Sequence, residues 1–143
     1  MSSDETASPE DSWLRAQREE LKAYLAGEGV AHAGIDPDPA WYEPEVIAIW
    51  SIRSGTVPGT RGWWAINGDV PTDYIPADEA PDARTAVSCI AARWQAAADQ
   101  MAQGIEPDQF VIGSPEDWPE LAPMLRSRAD TLAEWVADPE LWA

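Results

Sequence analysis

The sequence predicts an α+β fold: a single domain of about three main helices packed on a small, mostly antiparallel sheet of two to three strands. Two observations carry the prediction. Three windows repeat apolar residues at steps of three and four, the spacing of one helix face. Between the first two of them lie two short runs rich in β-branched and aromatic residues, "EVIAIWSIR" (45–53) and "WWAIN" (63–67), bounded by Gly/Pro-rich turns. The length of 143 residues suits one domain, with residues 1–7 as a frayed tail and 8–143 as the folded body.

In chain order, Ser8 reads as the N-cap of the first helix, Pro9 as its first helical residue, and Glu10 and Asp11 as charges facing the positive end of its dipole. Leu14, Leu21 and Leu25 share a face with Trp13 and Tyr24 beside them, and "GEG" at 27–29 ends the helix. The proline-studded segment 32–44 reads as loop, because each proline pushes its predecessor out of helical space. In the first strand Val46, Ala48, Trp50 and Ile52 point one way and Ile47, Ile49 and Ser51 the other; apolar groups on both sides indicate a central strand. The second strand can pair antiparallel with it, and alternation sends Trp63 and Trp64 to opposite faces.

A long helix is expected from about Pro81 to Gln103, with Ala83, Val87, Ile90, Trp94, Ala97 and Met101 inward. "QFVIG" (109–113) reads as a short third strand. "SPEDW" at Ser114 repeats the chemistry of "SPEDSW" at Ser8, so Ser114 is read as a second N-cap. Pro119 and Pro123 are expected to segment the start of the last helix, which carries Leu125, Ala129, Leu132 and Val136 inward; Trp142 docks back on the fold.

The charge is the strongest constraint on function. Twenty-six acidic residues against nine basic ones give −17. Clustered Lys and Arg, needed to displace counterions from nucleic acid, are lacking, and an anionic membrane surface repels such a chain. A basic protein partner is the macromolecule it would attract; solubility alone is the competing explanation. Cys89 is the only cysteine, so an intrachain disulfide and a multi-cysteine zinc site are excluded. The polar, acidic N-terminus lacks a secretory pattern and no apolar run approaches a membrane span, so a cytoplasmic protein is expected. No cofactor is expected: "SGTVPGTRG" lacks the P-loop lysine, "GSP" at Ser114 is no nucleophile elbow, and nothing asks for a Cys89–His32 dyad.

The densest stretch is "GWWAINGDVPTDYIP" (62–76). Its plain reading is architecture: Asn67-Gly68 accepts positive φ, Asp69 bonds turn amides, and Thr72 or Asp73 caps a short turn before Tyr74. A catalytic reading pairs Asp69 with Asp73 beside an aromatic floor, for hydrolysis or for a divalent cation. A recognition reading takes Trp63, Trp64, Asn67, Asp69, Asp73 and Tyr74 as a surface on which an indole ringed by carboxylates meets a cationic partner. The leading expectation is a non-enzymatic, acidic protein-binding module, immunity- or antitoxin-like in one form. The alternatives are an Asp69/Asp73 enzyme and a DNA mimic.

The segments "WSIRSGTVPGTRGWWAINGDVPTDYI", "ARW" and "IGSPEDWPELAPMLRSRADTLAEW" resemble a bacterial family known as domain of unknown function 4826, over roughly Trp41 to Trp142. The resemblance implies a free-standing bacterial cytoplasmic protein and supplies no activity, cofactor or catalytic residue.

Overall fold

The structure, a computed structural model, describes residues 8–108, 110 and 112–142. The described residues form three helices and a five-stranded antiparallel sheet, an α+β fold with more strands than the sequence predicts. The chain divides into two compact units, Met1–Asp78 and Glu79–Ala143.

The first unit holds α1 (Pro9–Gly27) and strands β1 (His32–Ile35), β2 (Trp41–Glu43), β3 (Ile47–Ser54), β4 (Arg61–Gly68) and β5 (Asp73–Pro76). Helix α1 starts as its residues dictate. Ser8 Oγ accepts from the Asp11 amide at 3.0 Å, and Pro9 occupies the first turn, where no intrahelical donor is needed. At the other end Gly29 has φ +71°, the left-handed geometry that stops helices.

Strand β3 is the sheet's centre. It pairs with β4 along one edge, and with β1 and β2 in turn along the other; β5 extends the sheet beyond β4. The alternation holds. Ala48, Trp50 and Ile52 lie opposite Asn67, Ala65 and Trp63 and share the face that Leu21 and Leu25 of α1 cover. Ile47, Ile49 and Ser51 lie on the second face with Trp64 and Ile66, so the two tryptophans do point opposite ways.

Three strands correct the sequence reading. The expected loop 32–44 is a strand interrupted in its middle. Asp36 N donates to Ser51 O at 3.1 Å and Ala40 N to Ile49 O at 2.8 Å, so the segment follows β3 throughout. Pro37 and Pro39 lie between those two bonds and have no amide hydrogen to give, which splits the ladder into β1 and β2. Likewise the segment after Thr72 is no capped turn: residues 73–76 pair with 63–66 of β4.

The second unit is a helical pair. Helix α2 (Ala83–Ala102) is capped by Asp82, whose side chain accepts from Thr85 N at 2.8 Å; that bond holds the Asp82 carboxyl below its usual range. Helix α3 (Trp118–Ala137) runs antiparallel to it. Arg84, at the start of α2, donates twice to Val136 O near the end of α3, and Asp99, late in α2, pairs with Arg126. Val87, Ile90, Trp94, Ala97 and Met101 of the predicted stripe are buried, as are Leu125, Ala129 and Leu132 of α3, while Ala83 and Val136 are half-buried. Trp142 folds back onto α3, donating its indole N–H to Trp135 O at 3.0 Å.

Ser114 is not a helix cap. Asp117 holds that position, and its carboxylate accepts from both the amide and the hydroxyl of Ser114. The reason lies five residues on. A helix begun at Pro115 would need an amide hydrogen from residue 119, which is proline, whereas one begun at Pro9 receives it from Trp13. Helix α3 therefore starts late enough to hold Pro119 in its first turn. It then runs unbroken through Pro123, against the expectation of a segmented start. The expected strand 109–113 includes Gln109 and Val111, which lie outside the described residues; Phe110, Ile112 and Gly113 belong to no strand.

Candidate functional site

The candidate site lies on the α1-facing side of the sheet, where β4 and β5 meet the end of α1. Strand pairing sets Ala65 opposite Tyr74 and Trp63 opposite Pro76, so Trp63 and Tyr74 emerge on one face. Tyr24 of α1 closes the group. The Tyr24 and Tyr74 rings are 6.1 Å apart at 70°, and those of Trp63 and Tyr74 are 5.6 Å apart at 76°. Both contacts are edge-to-face, the arrangement the ring quadrupoles favour. All three side chains are half-buried and pack against the core of this face. A polar tie helps to fix the group: the Trp63 indole donates to Ala31 O at 3.4 Å.

The electrostatics of this corner are negative. Desolvation, reinforced by Glu28 and then by Asp73, pushes the Tyr24 phenol from 10.0 up to about 12. Glu28 is exposed just past the last turn of α1. Aromatic faces beside an exposed carboxylate can together receive an organic cation.

The other residues singled out from the sequence are built into the fold. Trp64 is 1% exposed and belongs to the core. The Arg61 guanidinium stands over its ring, 3.9 Å from the centroid, and donates to Ser51 Oγ at 2.7 Å. Asn67 is 2% exposed and ties the sheet to α1: its carbonyl accepts from the Trp50 indole at 3.0 Å, and its amide donates to Gln17 O at 2.7 Å. Gly68 (φ +126°) must be glycine, because a Cβ there would stand 2.5 Å from Val46 O, to which the next amide, that of Asp69, donates at 2.7 Å.

The two aspartates sit in unlike settings. Asp73 is 2% exposed and its carboxylate accepts from the Tyr74 amide at 2.8 Å; Asp69 is exposed. Register puts Asp73 opposite Ile66, on the face away from Tyr74. Among the described residues no three His, Cys, Asp or Glu side chains gather where a metal ion could be held. His32 Nδ1 accepts from the Gly34 amide at 3.0 Å, a local contact within β1. Burial, then the charge of Glu79, raises the Cys89 thiol, which keeps it protonated and weakly nucleophilic.

Tyr24 and Glu28 are the residues that sequence reasoning did not assign to the site. Their spacing of four is a usable signal, since it puts both on one helix face. What the sequence does not contain is which strands that face covers.

An acidic α+β protein, with one unit built on a sheet and the other on a helical pair, is the class these features define. The chain belongs to the family described as Domain of unknown function (DUF4826), whose model matches residues 8–142. No curated protein and no solved structure matches it. No helix among the described residues is long and apolar enough to cross a membrane.

Proposed function

We propose that this protein is an acidic protein-binding module that masks a basic surface on a partner, with immunity- or antitoxin-like neutralisation in a bacterial cytoplasm as one concrete form. The observation that carries the reading is the half-buried, edge-to-face array of Tyr24, Tyr74 and Trp63 with Glu28 at its rim. Partly covered aromatic rings held in place by packing lose little entropy on binding and are favoured at interaction hot spots. A net charge of −17 steers a cationic partner toward them.

The contact set differs from that read off the sequence. Trp63 and Tyr74 stay in it and Tyr24 and Glu28 join; Asp69 is exposed but follows the far end of β4, its amide bonded to Val46 O, and the burial of Trp64, Asn67 and Asp73 makes them supports. A hydrolase or divalent-ion enzyme built on Asp69 and Asp73 gains no specific support, since the Asp73 carboxylate is spent on the backbone of its own neighbour. A DNA mimic would work through its carboxylates alone and be indifferent to the three rings.

The test is capture of partners from the source cell on the immobilised chain at low and high salt, beside Trp63→Leu and Tyr74→Leu chains of verified fold. The expected result is a basic protein that is released as salt rises and is lost from both variants. Retention indifferent to salt, or undiminished by the two substitutions, contradicts the proposal.

A further inference from the structure

We infer that the Tyr24–Tyr74–Trp63 array takes an arginine side chain of the partner in preference to a lysine, an inference that rests on the reading above and narrows it. Three features of the site discriminate between the two cations. The first is ring geometry. Trp63 and Tyr24 each stand 70–76° from the plane of Tyr74, so these part-exposed rings have their faces in crossed orientations. A planar guanidinium can lie along one such face and keep its N–H edge free, whereas an ammonium must shed tightly held water to approach it.

The second feature is the carboxylate. Glu28 is exposed at the C-terminal cap of α1, one helical turn beyond Tyr24 and on the same side of the helix. A carboxylate beside a ring is placed for the forked donors of arginine, which pair with it through two parallel bonds; lysine meets it as a point charge.

The third is an arrangement the same strand already contains. One residue along, on the opposite face of the sheet, Arg61 stands over the Trp64 indole at 3.9 Å while donating to Ser51 Oγ at 2.7 Å. A guanidinium stacked on an aromatic face with a polar acceptor at its edge is thus realised on β4 within the chain. The array at Trp63 offers rings and an acceptor of the same kind to a residue from outside.

The test is calorimetric titration of the intact chain with hexaarginine and with hexalysine at equal ionic strength. Hexaarginine is expected to bind at least about tenfold tighter, a difference too large for charge alone because both peptides carry the same charge. That advantage should collapse in Trp63→Leu and in Glu28→Gln. The second variant changes an exposed side chain and keeps the test valid should the first fail to fold. Equal affinity for the two peptides, or an arginine advantage that survives Glu28→Gln intact, overturns the inference while the wider reading stands. Binding of neither peptide overturns both.

Discussion

Trp63 and Trp64 are neighbours in sequence and opposites in circumstance. Trp64 is sealed at 1% exposure, with a guanidinium of its own chain against its ring. Trp63, one residue earlier and on the other face, is half-buried in a ring array beside an exposed carboxylate. The difference follows from strand alternation, which sends successive side chains to opposite faces whatever their chemistry. A pair of identical residues in a motif is therefore no guide to a shared role. Here one indole is a building stone and the other is a surface.

Stability measurements break this comparison most sharply. Trp64→Ala is expected to cost about 3–5 kcal/mol, the range for emptying a buried aromatic site. Trp63→Ala should cost roughly 1–2 kcal/mol, because only part of its ring area leaves water on folding. Urea unfolding of the two variants reads the difference directly. Equal losses would mean that the two rings carry the same structural load.

A smaller effect sharpens the description of the array itself. The Tyr24 phenol is raised from 10.0 to about 12 by desolvation first and by Glu28 next, so the folded state favours its protonated form. The stability it contributes is complete below pH 10 and is lost as pH rises from there through about 12. Tyr24→Phe should flatten the alkaline decline in the urea midpoint. Glu28→Gln should lower the pH at which the Tyr24 phenolate absorbance appears. An unchanged alkaline profile in both variants would mean that Tyr24 is not held as described.

Much of the fold was legible in the residues, and the misses share one cause. Helix α1 and the faces of β3 and β4 follow from local periodicity and capping, which are written within a few residues of one another. Strands β1, β2 and β5 are three or four residues long, too short to show alternation, and exist because β3 and β4 offer them partners far away in sequence. The repeated "SPED" shows the same limit at shorter range: its meaning turns on whether the fifth residue after the serine is Trp13 or Pro119. In the site, Trp63 and Tyr74 were legible as aromatic residues of one stretch. Tyr24 and Glu28 were not, because only the packing of α1 on the sheet brings them there.

The most direct measurement follows indole N–H signals by nuclear magnetic resonance while hexaarginine is added to the nitrogen-15-labelled chain. The Trp63 signal, bonded to Ala31 O at the edge of the array, should shift progressively and saturate, while that of the buried Trp64 stays in place. Shifts of Trp64 without Trp63, or small shifts spread evenly over the acidic surface with both indoles silent, would contradict the assignment of the binding face.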